Sequence, residues 1–300
     1  MNKMTSTTTV NALPEPYRLH QTLRKELDGF GQVEWLQSTG STNMDLSERI
    51  RSGVASTLDT LPWLRGAYLQ TAGKGRAGRP WANQPGQCLM FSVAMASPVP
   101  IARLLGLAPA LGVAAVLALR SQLDDPTRQR LTLKWPNDIF WDQAKLAGIL
   151  VESVKHPSEP NPIVVAGIGL NLSGASRLTA DMGRPIADWT QVCDQGVEID
   201  QHHAEPAVLV CSIAQAWSQA LHRFAELGFA GFIKDFQSMD VLRGNAVSVM
   251  DGGACLMQGL ACGCDDSGRL LVQTIEGLKP VMVGDVSIRP VSKVTGSAEK

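Results

Sequence analysis

Leu131-Thr132-Leu133-Lys134-Trp135-Pro136-Asn137-Asp138-Ile139-Phe140-Trp141 is the stretch on which the fold turns. Leu131 to Trp135 and Ile139 to Trp141 are short runs rich in apolar and aromatic residues, and Pro136-Asn137-Asp138 between them is turn chemistry. Proline fixes φ there, and the two following side chains can bond their own backbone. Further strand-like runs follow at Leu146 to Val154 and Ile163 to Leu170, the first of them set off by the turn pair Asp142-Gln143. This part of the chain is a sheet.

Upstream, Gln32 to Gln37 alternates like a strand until Ser38-Thr39-Gly40-Ser41-Thr42-Asn43 breaks it, and Met44, Leu46 and Ile50 resume at helical spacing. A loop-to-helix junction is expected there, with Ser41 to Asn43 as helix caps. Ala67 to Thr71 reads as a short strand, Ala72 to Arg79 as a glycine-rich basic loop, and Leu89 to Ala96 as another strand. A core helix is expected around 102 to 121. Leu209, Ile213, Trp217, Ala220, Phe224 and Leu227 mark a second, ending at Gly228. After Met239, short apolar runs separated by Asp251-Gly252-Gly253, Asp266-Ser267-Gly268 and Glu276-Gly277 signal a small antiparallel barrel. The expected class is α+β: a mixed or antiparallel sheet packed with helices, followed by a small C-terminal β-barrel. The chain divides into a flexible tail over 1–16, a main domain over 17–239 and a C-terminal domain over 240–300.

The 300 residues carry a formal charge of −1, so no global attraction to nucleic acid or membrane is expected and any anion must be held by a local cluster. Leu104 to Leu119 is shorter than the roughly 20 residues of a membrane span and is diluted by Gly106, Pro109 and Gly112. The N-terminus lacks the apolar core of a signal peptide, and the six cysteines show no paired zinc-ligand spacing. The expectation is a cytoplasmic protein with reduced, mostly structural cysteines.

Between Asp59 and Asp124 there is no acidic residue, while Arg65, Lys74, Arg76, Arg79, Arg103 and Arg120 all fall inside. Gly73-Lys74-Gly75-Arg76-Ala77-Gly78-Arg79 sets three cations among three glycines, so side chains and backbone N–H groups can converge on a phosphate or carboxylate. A solvated basic loop is the ordinary alternative. The G-x-G-x-x-G spacing is not a dinucleotide fingerprint, because Pro80 and Trp81 follow where a helix is needed and no acid appears until Asp124. Nor is there a phosphate-binding P-loop motif. Lys134 and Lys145, taken singly, read as solvated strand ends. In Ala166-Gly167-Ile168-Gly169-Leu170-Asn171 the glycines weaken a strand, which fits either a bulge or the close approach of a ligand.

Taken together, Gly40 to Asn43, Gly73 to Trp81, Lys134 to Asp138 with Lys145 and Gly148, and Gly167 to Asn171 resemble the ordered motif set of biotin protein ligases. The resemblance runs from about Trp35 to Pro290. It includes Gly284 to Arg289, which is similar to the last strand of that family's C-terminal SH3-like domain.

The resemblance implies the class II synthetase-like biotin/lipoate ligase fold and an ATP-dependent, AMP-forming enzyme. Such an enzyme makes biotinyl-5'-AMP from biotin and ATP, then biotinylates a lysine ε-amine on a biotin carboxyl carrier protein. By this similarity Ser41, Thr42, Asn43, Gln70, Lys74, Gly75, Arg76, Lys145, Gly148 and Gly167 would bind biotin, with Lys145 and Arg76 catalytic. Lys74, Arg79, Trp81, Lys134, Asn137, Asn171 and Trp189 would lie on the nucleotide side. Asp138 would orient Mg²⁺ or cap its turn. No DNA or membrane partner is expected, the segment before Trp35 being too short for a helix-turn-helix module, and a homodimer is left open. Two positions depart from the family pattern: Lys74 stands where arginine is usual and lacks its bidentate fork, and Ala77 occupies a position that is often basic.

Overall fold

The computed structural model describes residues 13–53, 58–194, 205–251, 254–282 and 287–290; most of the expected tail, and residues 284–286 of the last motif, lie outside them. The chain enters helix α1, Pro16–Glu26, which has proline in its first turn and buries Leu19 and Leu23. Helix α2, Thr42–Ser52, starts at the Ser41 cap. Helix α3 is Leu107–Arg120, α4 Ala175–Met182, α5 Trp189–Asp194, α6 Pro206–Leu227 and α7 Ile233–Met239. The two expected core helices are therefore α3 and α6.

Strands β1 Gln32–Leu36, β2 Trp63–Ala67, β3 Cys88–Ala96, β4 Leu131–Lys134, β5 Asp138–Trp141, β6 Ala144–Val154 and β7 Ile163–Asn171 form one sheet in the order β1-β2-β3-β7-β6-β5-β4. Only β1 and β2 run parallel. The strand expected at Ala67 to Thr71 ends at Ala67. Beyond it the backbone still follows the β1 exit through Thr39 N–H to Leu69 O at 3.0 Å and Thr71 N–H to Thr39 O at 3.0 Å.

Alternation along these strands builds two layers. On β7, Val164, Ala166, Ile168 and Leu170 join the main core, where α3 and α6 meet and the Trp217 indole N–H reaches Leu111 O at 3.0 Å. Ile163 and Val165 face the other way, against Leu46 and Ile50 of α2. Gly167, Gly169 and Asn171 continue that second face past the region packed by α2. The end of the sheet is therefore left bare, and the cleft lies over it.

Strands β8 Ala246–Asp251, β9 Ala254–Cys264, β10 Leu270–Thr274, β11 Gly277–Val281 and β12 Ser287–Pro290 form a five-stranded antiparallel sheet in the order β11-β10-β9-β8-β12. Among the described residues nothing pairs β11 with β12, so the expected barrel is seen as an unclosed sheet. Its β9–β10 turn wedges against the larger sheet: the Trp135 indole donates to Gly268 O at 2.9 Å. Gly106, at φ 85°, and Gly268, at φ 76°, touch with no space for a side chain on either. Among the described residues no helix is long and apolar enough to cross a membrane.

Candidate active site

Two cross-strand rows pave the cleft floor. Ser92, Gly167 and Leu150 are register partners, as are Met90, Gly169, Gly148 and Asp138. Asn43, at the start of α2, lies over the first row, and its amide oxygen occupies the space a Cβ on Gly167 would need. The Trp81 ring lies over the second row, filling the Cβ space of Gly169 and coming within 3.0 Å of that of Gly148. The two glycines in the strand thus make room for neighbouring side chains of this protein, which the sequence reading left open between a bulge and a ligand.

Helix α2 opens onto the cleft with Ser41, Thr42 and Asn43 all buried. The Ser41 hydroxyl accepts the Met44 N–H at 3.5 Å, capping the helix. Thr42 N–H donates to Gln70 Oε1 at 2.7 Å, and the Thr42 hydroxyl lies 2.7 Å from that of Ser92. Behind the helix, Arg65 bonds Asp45 at 2.6 Å and also pairs with Glu34, which Arg49 contacts at 3.1 Å. Burial opposes ionisation of Glu34, but the bonds and charges of Arg49 and Arg65 outweigh it and hold its carboxyl below the usual range.

The basic loop is a tight hairpin closed by Trp81 N–H to Gly73 O at 2.9 Å and Gly75 N–H to Arg79 O at 2.7 Å. Its tip is a 3-10 turn, Arg76–Gly78, in which Ala77 takes the left-handed φ of 54°. Its base is held by Asn83, whose amide meets Gln70 N–H at 3.1 Å, Gln70 O at 3.0 Å and Trp81 O at 3.1 Å.

On the opposite side, Lys145 Nζ bonds Asp138 Oδ1 at 2.6 Å and lies 5.5 Å from the Trp81 ring centroid. The Lys145 backbone is gripped at both ends, by Pro185 O at 3.1 Å and Ala187 N–H at 2.9 Å. Asn171 bonds Ala187 O at 3.1 Å and so ties the same strap to the sheet. Beneath Asn171, burial pushes the Cys88 thiol up to about 12, so it stays neutral. Asn137 is likewise a clamp: its amide N–H reaches Ile149 O, and its carbonyl accepts Ile149 N–H at 2.9 Å.

Every residue named from the sequence lines this cleft except Trp189. Trp189 is buried among the core residues of α5 and is a packing residue here. Asp138 is committed to Lys145 through Oδ1, and among the described residues no cluster of three or more metal-ligating side chains exists. The acid-free window is only half realised: Arg65 is ion-paired behind α2, Arg103 caps Ala225 O at 3.0 Å and Arg120 bonds Leu131 O at 2.6 Å. Lys74, Arg76 and Arg79 reach the cleft and are joined by Lys134, Lys145 and Arg184, six cations against the single carboxylate of Asp138. Sequence reading missed Arg184 because it sits between Asp181 and Asp188, outside the window. It also missed the apolar wall of Leu178, Met182 and Ile186, as well as Ser92 and Asn83. Ser92, a lone hydroxyl within the apolar run of β3, was the one with a signal.

Residues 37–171 match the Biotin/lipoate A/B protein ligase family and residues 244–289 the Biotin protein ligase C terminal domain. The chain is 30% identical over 274 residues to the biotin–[acetyl-CoA-carboxylase] ligase of Mycobacterium tuberculosis, covering 89% of this chain and 94% of that one. The chain belongs to the biotin protein ligases. It is 29% identical to the bifunctional ligase/repressor BirA of Escherichia coli, over 94% of this ligase and 82% of that protein. Among solved structures, the Aquifex aeolicus biotin protein ligase in complex with biotin and ATP aligns at a TM-score of 0.68 and 25% identity, over 87% of this chain and 99% of that one. This chain is accordingly a biotin ligase enzyme, with a mixed α+β fold and a C-terminal sheet of the SH3-like kind.

Proposed function

We propose that the cleft joins biotin to ATP as biotinyl-5'-AMP and passes the biotinyl group to a lysine ε-amine of a biotin carboxyl carrier protein, as in acetyl-CoA carboxylase. The observation that carries this reading is the pairing of an uncharged polar pocket, Ser41, Thr42, Asn43 and Gln70, with six cations on the adjoining walls. The pocket suits a ureido ring, which offers N–H donors and a carbonyl acceptor. The cations suit a carboxylate that must approach an anionic phosphate.

A biotin carboxylate oxygen attacks the α-phosphorus of ATP, and the bond to the departing pyrophosphate breaks. Lys145, aimed by Asp138, and Arg76 neutralise the reacting oxygens, while Lys74 and Gly75 close over the carboxylate and Arg79 holds the leaving group. Trp81, Lys134, Asn137 and Asn171 form the nucleotide side, the two asparagines by fixing the turn and strap around it. The lysine amine of the acceptor then attacks the acyl carbon, loses its proton and expels AMP. Here the enzyme contributes positioning and exclusion of water. Mg²⁺ arriving with ATP would rest on nucleotide phosphates, since Asp138 Oδ1 is held by Lys145, and no step is routed through it. Residues 17–239 carry this chemistry and 240–300 form the C-terminal unit.

The test is transfer from biotin, lipoate or octanoate, each with ATP, to a purified carrier domain whose target lysine is intact or changed to arginine. A mass gain of one biotinyl group on the intact domain alone is expected. Labelling by lipoate or octanoate in preference to biotin would overturn the substrate assignment.

A further inference from the structure

Glu152 lies on the second face of β6, beyond the cleft lining, and its carboxylate accepts the Asn43 Nδ2–H at 2.7 Å. A carboxylate is acceptor-only, so this contact fixes which way the Asn43 amide points. Its oxygen must then face Ser92, whose hydroxyl donates to it at 2.5 Å. Ser92 has one proton and has spent it, so at 2.7 Å it must accept from Thr42. The Thr42 hydroxyl proton is thereby turned away from the cleft, leaving its lone pairs to accept. Gln70 is oriented independently: its Oε1 takes the Thr42 backbone N–H, which leaves the NH₂ end as donor. Gly167 supports the same chain of bonds, because a Cβ there would collide with the Asn43 oxygen and come within 3.0 Å of the Ser92 hydroxyl.

We infer that Glu152 is a positioning residue that sets the hydrogen-bond polarity of the pocket floor through Asn43, Ser92 and Thr42. The polarity it sets favours a ring that offers N–H to Thr42 and a carbonyl to Gln70. This rests on the reading of the cleft as a biotin site. It adds that donor and acceptor roles in the pocket are dictated by a carboxylate that touches no substrate.

The experiment uses the full chain with Glu152→Gln, Glu152→Ala, Glu152→Lys and Ser92→Ala, and the double variant Glu152→Lys/Ser92→Ala. Biotin KM and kcat are read from biotin-dependent ATP–pyrophosphate exchange, with a melting curve for each variant. Glutamine can still accept from Asn43 and should hold KM within about threefold of wild type. Alanine releases the amide and lysine forces it to flip, so both should raise KM by about 10- to 100-fold with kcat little changed. In the Ser92→Ala background, where the relay is already cut, Glu152→Lys should add little. The inference is overturned if glutamine loses as much as alanine or lysine, which would indicate charge alone. It is equally overturned if no Glu152 variant loses, or if the Glu152 and Ser92 losses simply add. A wild-type chain that does not use biotin at all would remove the functional reading as well, and is recognised by the absence of exchange before any variant is compared.

Discussion

A Cβ on Gly169 has nowhere to go, because the Trp81 ring already fills its place, whereas on Gly148 the nearest ring atom is 3.0 Å away and can give. Gly169→Ala should therefore lift Trp81 off the floor and slow adenylate formation by about 100-fold, the scale of cost for a displacement of about 1 Å in a positioned site. Gly148→Ala should lose clearly less. Exchange rates together with Trp81 accessibility to a fluorescence quencher check this, and equal losses in the two variants would contradict it. Such pairs were half legible. The chain 167–171 announces that something comes close to the backbone, but not that the visitor is Trp81, more than 80 residues upstream. Lys145 was legible only through its motif, since the Asp138 bond that aims it depends on strand register.

At the scale of elements, α2 and the basic loop were readable because their determinants are local: caps at Ser41 to Asn43, glycines and cations at Gly73 to Arg79. The loop's anchor was not, because Asn83 works as a surrogate strand partner for Gln70 across a turn and no spacing rule describes that. Asn83→Ala should fray the hairpin base, at a cost of about 1–3 kcal/mol for the polar groups left unpaired. Trypsin should then cut at Lys74, Arg76 or Arg79 several-fold faster, while the global melting temperature barely moves. Unchanged cleavage would show that the hairpin holds itself. The strand placed at Ala67 to Thr71 failed for a related reason: composition marks where a chain is extended, but Trp63 and Leu64 enter the ladder because they face a core partner.

The C-terminal sheet joins the larger unit where Val241 N–H meets Leu133 O at 3.2 Å, and the neighbouring Asp240 is buried with no partner for Oδ2. Burial pushes that carboxyl up to about 6, against the pull of the Leu242 and Arg243 N–H groups and the Arg243 charge. Because the folded value lies above the unfolded one, the native state binds the extra proton. Stability from this group is therefore gained as pH falls through about 6 and lost again above it. Relative to Asp240→Asn, wild type should gain up to about 3 kcal/mol between about pH 7.5 and about pH 4 in denaturant titrations. Parallel curves for the two proteins would contradict the assignment. The two-part organisation was visible in the change of turn spacing after Met239. The joint was not, since Trp135 to Gly268 and Gly106 to Gly268 are contacts that only the folded molecule brings together.

The central claim, that this cleft activates biotin with ATP, is tested most directly by exchange of labelled pyrophosphate into ATP with no acceptor protein present. Exchange should depend on biotin, be absent with octanoate or lipoate, and fall by about 10²–10³ in Lys145→Ala, the usual cost of removing one charge-stabilising group. Exchange without biotin, or unimpaired in Lys145→Ala, would contradict the account.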